Sequence, residues 1–532
     1  MTSSSLSVSQ STSRPARRHP RIFAVELLRL LAIVGIAVFH TFLLMFDQIV
    51  VAGPHALAAA AQAGAAPTFL AIISSTPAVV WLISMLMFLG AWGNHIFFMI
   101  SAFFLVPRLA ERSHRKGFAR DEWKPTMLRI AKILAAVVFY VVVLVIVNRW
   151  IVPIQAVGGL RDVIYSLEFV WLYVLFVLLA PFIGWCIERC RKKWCVAILV
   201  AALAVIYGLN VDVAISGRNF FDSLSVLDWR KQMSAVTYLA SYICAGALGC
   251  AWRRWYGNGA SAARNARNAS SGDGSHDLLE GNTFAGMNSS VAYSNPDFTD
   301  GQENQGSNET GAPFWLTRRF WAIALAVVIL AVGCIVAFAA FGGHYGLLMV
   351  LSFKSTSAIS FLLAVCSLMC AACPSAKGPK RSLSDAKLGS ESSSNGDVKS
   401  DGVMDGAKST PGNVTGRDGA ILSRNGGKGK PFWINIRAFC RHAVEALASG
   451  ILGFYIVQAL TYYSWIAVQS HFADPFSARA TSAFAIGGMS ASVGWLAGWF
   501  LVEVVFSLAF VLLVCLIDRF VRQPLLRLIK LA

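Results

Sequence analysis

The first long apolar run of the chain, VELLRLLAIVGIAVFH, carries Arg29 and His40 among residues that are otherwise suited to lipid. An ionisable group at membrane depth is costly, so each calls for a reason. Ten residues separate the two. At 100° per residue, a helix projects them within about 20° of each other and roughly 16 Å apart along its axis. Both then face one groove at two depths. Glu26 lies one turn ahead of Arg29 and can pair with it. Arginine is suited to hold phosphates through forked, charge-assisted hydrogen bonds. Histidine, with an ordinary pKa of about 6.5, can move a proton or act as a nucleophile. The plainer alternative is that Arg29 snorkels to the interface and His40 satisfies a neighbouring helix. Their shared face brings the chemical reading level with it.

The elements that must position this pair are membrane helices. Of the 532 residues, 56% are hydrophobic and only 14% charged, against about 25% charged in soluble domains. The mean hydropathy is +0.59. Long runs nearly free of charge alternate with short basic clusters, as lipid-facing helices and their loops require. The spans read as Ile22–Phe46, about Val79 to Arg108, Met127–Val147, Val163–Ile187, Cys195–Leu209, Ala235–Trp252, Phe320–Phe341, Leu347–Cys373, Val444–Ala467 and Trp495–Ile517. Ten crossings place the clusters Arg14–Arg21, Arg108–Lys124, Glu188–Lys193, Arg253–Arg254, Lys377–Arg381 and Arg519–Arg527 on one side, the cytoplasmic one. The expectation is an all-α, polytopic membrane bundle of about ten transmembrane helices in the cell membrane, with both termini cytoplasmic.

The expected organisation is a basic tail over 1–21, helices one to six with the candidate site over 22–252, and helices seven and eight over 314–373. Helices nine and ten and the C-terminus occupy 431–532. The stretches 257–313 and 374–430, rich in Ser, Asn, Gly and Asp, read as disordered cytoplasmic loops. Their sequons at Asn268, Asn288, Asn308 and Asn413 would then not meet an external glycosylation machinery. The apolar run from Ile22 is too long for a cleaved leader and reads as a retained anchor.

The net charge of +18 would suggest nucleic acid on a soluble protein. Here the cations sit at the ends of apolar runs and set topology, so no nucleic-acid partner is expected. Most of the 11 cysteines lie in or beside apolar runs without paired CxxC spacing, so no metal is expected. His95 could orient His40 or a substrate, although such a histidine is more often satisfied by a neighbouring carbonyl. Lys354, Glu445 and Glu503 read as pairing or cavity-lining groups. Arg112, Arg115 and Arg129 could assist Arg29 in holding phosphates.

Two segments carry a family resemblance. Glu26-Leu-Leu-Arg29, ten residues and His40 resemble the first helix of the acyltransferase-3 family of integral membrane O-acyltransferases, with Glu where Asp is usual. Trp92-Gly-Asn-His-Ile-Phe-Phe-Met-Ile-Ser101-Ala-Phe-Phe-Leu resembles that family's Trp-Gly-Val-Pro-x-Phe-Phe-x-Ile-Ser-Gly segment, with Asn94-His95 replacing Val-Pro and Ala102 replacing Gly. Weaker echoes are Arg129-Ile, the stretch through Trp171, Tyr173 and Pro181, Gly246, and Arg522-Gln-Pro524. A late histidine common in relatives stands here as Gln458.

The resemblance implies transfer of an acyl group, commonly acetyl, from cytoplasmic acyl-CoA to a hydroxyl of an envelope glycan or glycoconjugate. The chemistry of the residues fits it: His40 is the expected catalytic residue, Arg29 with Arg112, Arg115 and Arg129 the expected donor-binding group, and Glu26, His95 and Ser101 the expected supporting residues. Acyl-CoA is a co-substrate, and no cofactor is expected. The rival is a glycan or lipid transporter or flippase with Arg29 and His40 lining a path, against which stand the two motifs and the lack of a visible internal repeat.

Overall fold

The computed structural model describes residues 22–151, 153–154, 159–216, 229–270, 313–352, 357–374, 441–448 and 450–528. Among these the regular elements are helical and no strand is present. The first half comprises α1 (Phe23–Ala52), α2 (Ala56–Gln62), α3 (Phe69–Ser74), α4 (Pro77–Arg112), α5 (Phe118–Trp150), α6 (Leu160–Ser166) and α7 (Glu168–Arg189). There follow α8 (Lys192–Ser216), α9 (Trp229–Ser270), α10 (Arg318–Phe341), α11 (Tyr345–Leu351), α12 (Ala358–Ala372), α13 (Ile451–Ile517) and α14 (Gln523–Leu528). Among the described residues, 8 helices are long and apolar enough to cross a membrane, and α12 is a shorter apolar helix. The chain is a multi-pass, all-α membrane protein.

The centre of the bundle is α4, which packs against α1, α7, α9, α10 and α12. It starts after an extended Thr76 with Pro77 in the first turn, where a missing N–H costs nothing. Its contact with α1 is close because Gly93 has no side chain: a Cβ there would stand 2.7 Å from the Ala32 carbonyl oxygen. Small residues at such crossings let two helix backbones approach within a membrane. Ile33, Ile36 and Phe42 of α1, Phe98 and Phe103 of α4, Tyr140 of α5 and Phe454 of α13 are fully buried around this axis. The outer faces are apolar instead. Val138 and Val142 of α5, and Ile323, Leu330 and Phe338 of α10, are exposed, which is the surface a bilayer covers.

The structure departs from the sequence reading in four places. Val163–Ile187 is split by a turn into α6 and α7, and the described part of Leu347–Cys373 holds two helices, α11 and α12. The helix expected to end at Trp252 continues to Ser270, because Ala and Arg between 260 and 269 favour helix despite the polar composition. The rest of the two low-complexity stretches, 271–312 and 375–430, and the basic tail 1–21 lie outside the described residues.

The fourth departure is α13. The polar stretch between Ala467 and Trp495 is not a loop: it is helical, and the chain reverses at Gly488, with φ 67 and ψ −155. A single helix of this length would run about 100 Å, over three times the roughly 30 Å of hydrocarbon. It folds back as two antiparallel arms, pairing Trp465 with Phe510 at 4.8 Å, Phe472 with Phe506 at 4.8 Å and Phe476 with Trp495 at 6.2 Å between ring centres. The first arm lies beside α1.

Candidate active site

Arg29 and His40 project from one face of α1, about three turns apart. They do not meet the same cavity. Arg29 lines a cleft of about 510 Å³ built from α1, α4, α5, α7 and the start of α13, with Arg108, Arg112, Arg129, Phe97, Ser101 and Tyr173. His40 lines a separate pocket of about 20 Å³ with Thr41, Gln458, Tyr462, Trp465 and Ser507. Ile451 belongs to the first cavity and Gln458 to the second. Tyr455 stands between them on the same face of α13, since steps of three and four residues share a helix face. Its ring lies 4.5 Å from that of Phe97 and stacks on Phe169 at 4.3 Å. Its hydroxyl reaches Asn94 Oδ1 at 3.2 Å.

The cleft is cationic. Arg29 Nη1 donates to both carboxylate oxygens of Glu26, at 2.9 and 3.0 Å, and Glu26 is 5% exposed. Arg112 donates to Glu122 at 2.8 Å. Arg108 and Arg129 have no carboxylate partner among the described residues, so the lining keeps a surplus of positive charge. Ser101 and Tyr173 share a hydrogen bond of 3.2 Å between their hydroxyls. The chain therefore brings together Arg29, Arg112, Arg129, Ser101 and, through its ion pair, Glu26. Arg115 is not among them; it is exposed on the turn between α4 and α5.

The smaller pocket is aromatic and tight. His40 packs edge-on against Phe39 and Tyr462, with ring centres at 4.8 and 5.1 Å. The Tyr462 hydroxyl donates to the His40 carbonyl at 3.2 Å. Thr41 and Ser507 share a hydrogen bond of 2.7 Å that ties α1 to the second arm of α13. Two buried nitrogens beside this void, His40 Nδ1 and Trp465 Nε1, have no hydrogen-bond partner among the described residues. The space takes one water or one hydroxyl. An imidazole that can take a proton and an indole N–H that can only donate thus line one small pocket.

His95 stands elsewhere. It is fully buried on α4, with Nδ1 2.9 Å from the Ser241 hydroxyl of α9 and its ring against Tyr238 and Phe361. None of these contacts reaches His40. The late Arg522-Gln523 pair also has a structural occupation. Both side chains bind the fully buried Asp518, which accepts from Tyr140 at 2.8 Å and from Gln523 at 3.0 Å. That clamp joins the end of α13 to α5.

Sequence reasoning missed Arg108, Trp465, Tyr462 and Ser507. Arg108 is legible, since it is four residues before Arg112 and shares its helix face, although in the sequence it reads as the end of a span and the start of a basic cluster. The other three are brought to His40 by tertiary packing and carry no local signal.

Comparison with known sequences adds one finding. The sequence model of a family described as an acyltransferase domain, that of acyltransferase-3, matches residues 22–389. No curated protein and no solved structure matches the chain. The matched region is more than half of the chain and contains α1 and α4 with both motif segments, whereas α13 lies beyond it. This chain is a multi-pass membrane member of the acyltransferase-3 family.

Proposed function

We propose that the protein moves an acyl group, commonly acetyl, from acyl-CoA to a hydroxyl of an envelope glycan or glycoconjugate. The observation that carries this reading is the arginine-lined cleft and the enclosed histidine, stacked along one face of one helix. The cleft suits the phosphates of coenzyme A, which arginine grips in a fork. Arg29, Arg108, Arg112 and Arg129 are the donor-holding groups. The slender pantetheine arm reaches His40 by passing Phe97 and Tyr455, whose rings have to part, and the His40 pocket has to widen to admit the thioester beside the hydroxyl. In direct transfer, His40 takes the proton of the acceptor hydroxyl as its oxygen attacks the thioester carbonyl. The C–S bond then breaks, and the thiolate leaves with the proton that His40 returns. Trp465 Nε1 supplies a hydrogen bond to the carbonyl oxygen as it gains charge. Transfer through an acyl-His40 intermediate uses the same groups.

The reading sets sidedness as well. The basic cleft opens to the cytoplasm of a cell membrane, where acyl-CoA is made, and both termini lie on that side. A reporter fused after Lys430 reads cytoplasmic, and one inserted at the Gly488 turn reads external. The decisive measurement is thioester cleavage by the purified chain with acetyl-CoA and an envelope glycan extract. Consumption of acetyl-CoA coupled to O-acetyl on the glycan is expected. No consumption with any acceptor returns the chain to the transporter reading.

A further inference from the structure

A third site adjoins the first cavity through the Arg112–Glu122 ion pair and lies between the start of α5 and the end of α7. It is a groove of about 380 Å³ lined by Phe118, Glu122, Trp123 and Thr126 on one side and by Phe182 and Trp185 on the other. Trp123, Phe182 and Trp185 are 58%, 63% and 40% exposed, a rim of rings of the type that marks a membrane interface. Beneath the rim are a carboxylate oxygen and a hydroxyl without partners. Glu122 is 4% and Thr126 2% exposed, yet Glu122 Oε2 and Thr126 Oγ1 have no hydrogen-bond partner among the described residues. Arg112 engages only the other oxygen of Glu122. The two residues are one helical turn apart, so their oxygens are offered from the same face.

Buried oxygens are normally paired, and an exception asks for an absent donor. The donor must carry N–H or O–H groups, must tolerate a carboxylate better than water does, and must arrive from the lipid side through aromatic rings. We propose that the groove holds the headgroup of a membrane phospholipid with a primary ammonium, as in phosphatidylethanolamine. An ammonium offers three N–H groups, enough for both oxygens, and a positive charge for Glu122 and the ring faces. Arg189 lies over the Trp185 ring at 4.7 Å and is placed at the rim to meet the phosphate. The apolar walls from Leu178 and Pro181 lead the acyl chains down α7. A choline headgroup has no N–H to give, and a glycerol headgroup has no positive charge.

The test is native mass spectrometry of the detergent-purified full chain. It is titrated separately with dioleoyl phosphatidylethanolamine, phosphatidylcholine and phosphatidylglycerol. Phosphatidylethanolamine should bind about tenfold tighter than phosphatidylcholine, the discrimination that one charged hydrogen bond supports. Thr126→Val keeps the shape and removes one acceptor, and should cut that preference several-fold. Glu122→Gln should abolish it, and Arg112, half exposed, then faces water. Equal binding of the three lipids by the wild-type chain overturns the proposal, because water would then be sufficient for both oxygens. So does an ethanolamine preference that survives in both variants, because the lipid would then sit elsewhere. Loss of the preference in either folded variant supports it.

Discussion

The two cavities along α1 are built on opposite principles. The Arg29 cleft is wide, open and held by ion pairs whose partners sit within a turn or on the next helix. The His40 pocket is about 20 Å³, walled by rings, and closed by residues from the far end of the chain. A wide cationic cleft gives affinity for a large anionic ligand with little demand on position. A tight aromatic pocket does the reverse: it binds little but fixes one atom against another, and there an angstrom matters. On the proposed function, binding and chemistry are divided between the two cavities.

The largest effect is expected at His40. His40→Ala should lower turnover by about 10²- to 10⁴-fold, the range of a positioned acid–base group, while acetyl-CoA affinity measured on the same folded preparation stays within a few-fold. Normal turnover per folded molecule would remove His40 from the chemistry. Next comes Trp465→Phe, which keeps the ring and deletes the N–H. A loss of roughly 10²-fold in kcat with unchanged donor binding is expected if that N–H meets the developing oxyanion. A small loss would leave Trp465 as a wall only.

The cleft should respond in the other currency of kinetics. Arg29→Ala should weaken donor binding by about tenfold or more, with kcat nearly kept. Because Glu26 is buried, this variant strands a charge and can lose folded protein. The double variant Glu26→Gln with Arg29→Ala removes that effect and isolates the phosphate contact. Arg29→Lys restores binding only in part if the fork matters. Titration of acetyl-CoA by calorimetry reads all three. A variant set that moves kcat and leaves affinity alone would dissolve the distinction between the cavities.

The smallest effect lies outside both. Gly488 sits where only glycine is comfortable, so Gly488→Ala should cost about 1–3 kcal/mol. The loss should appear in thermal stability and in the amount of inserted protein, with donor affinity and turnover per folded molecule unchanged. A change in kcat would mean that the two arms of α13 transmit their angle to the His40 pocket.

How much of this was legible beforehand follows from sequence distance. Arg29 and His40 share one helix, so their common face could be read from periodicity alone, and the family motif from adjacent letters. Glu26 followed from a single turn. Their separation into two cavities could not be read, because it depends on Tyr455 and Phe97 coming together from different helices. His95 adjoins the second motif, yet its partner Ser241 is on α9, and no local pattern places it there. The residues between Ala467 and Trp495 are polar enough to read as a connection between two spans. Packing between the arms, Trp465 on Phe510 and Phe472 on Phe506, keeps that stretch helical.

The pocket around His40 also has a calendar. Tyr462, which holds the His40 carbonyl, lies 422 residues later in the chain. At about 5–20 residues per second of synthesis, His40 waits roughly 20–80 s for the wall that encloses it. During that time α1 and α4 can insert and pair through Gly93, and the arginine face of α4 already exists, but nothing confines an acceptor hydroxyl. A chain that stops soon after Ile451 would then hold the whole arginine cleft and lack the wall of the His40 pocket. On the proposed function, transfer waits until the α13 hairpin is threaded beside α1, and that insertion is the step that turns the site on.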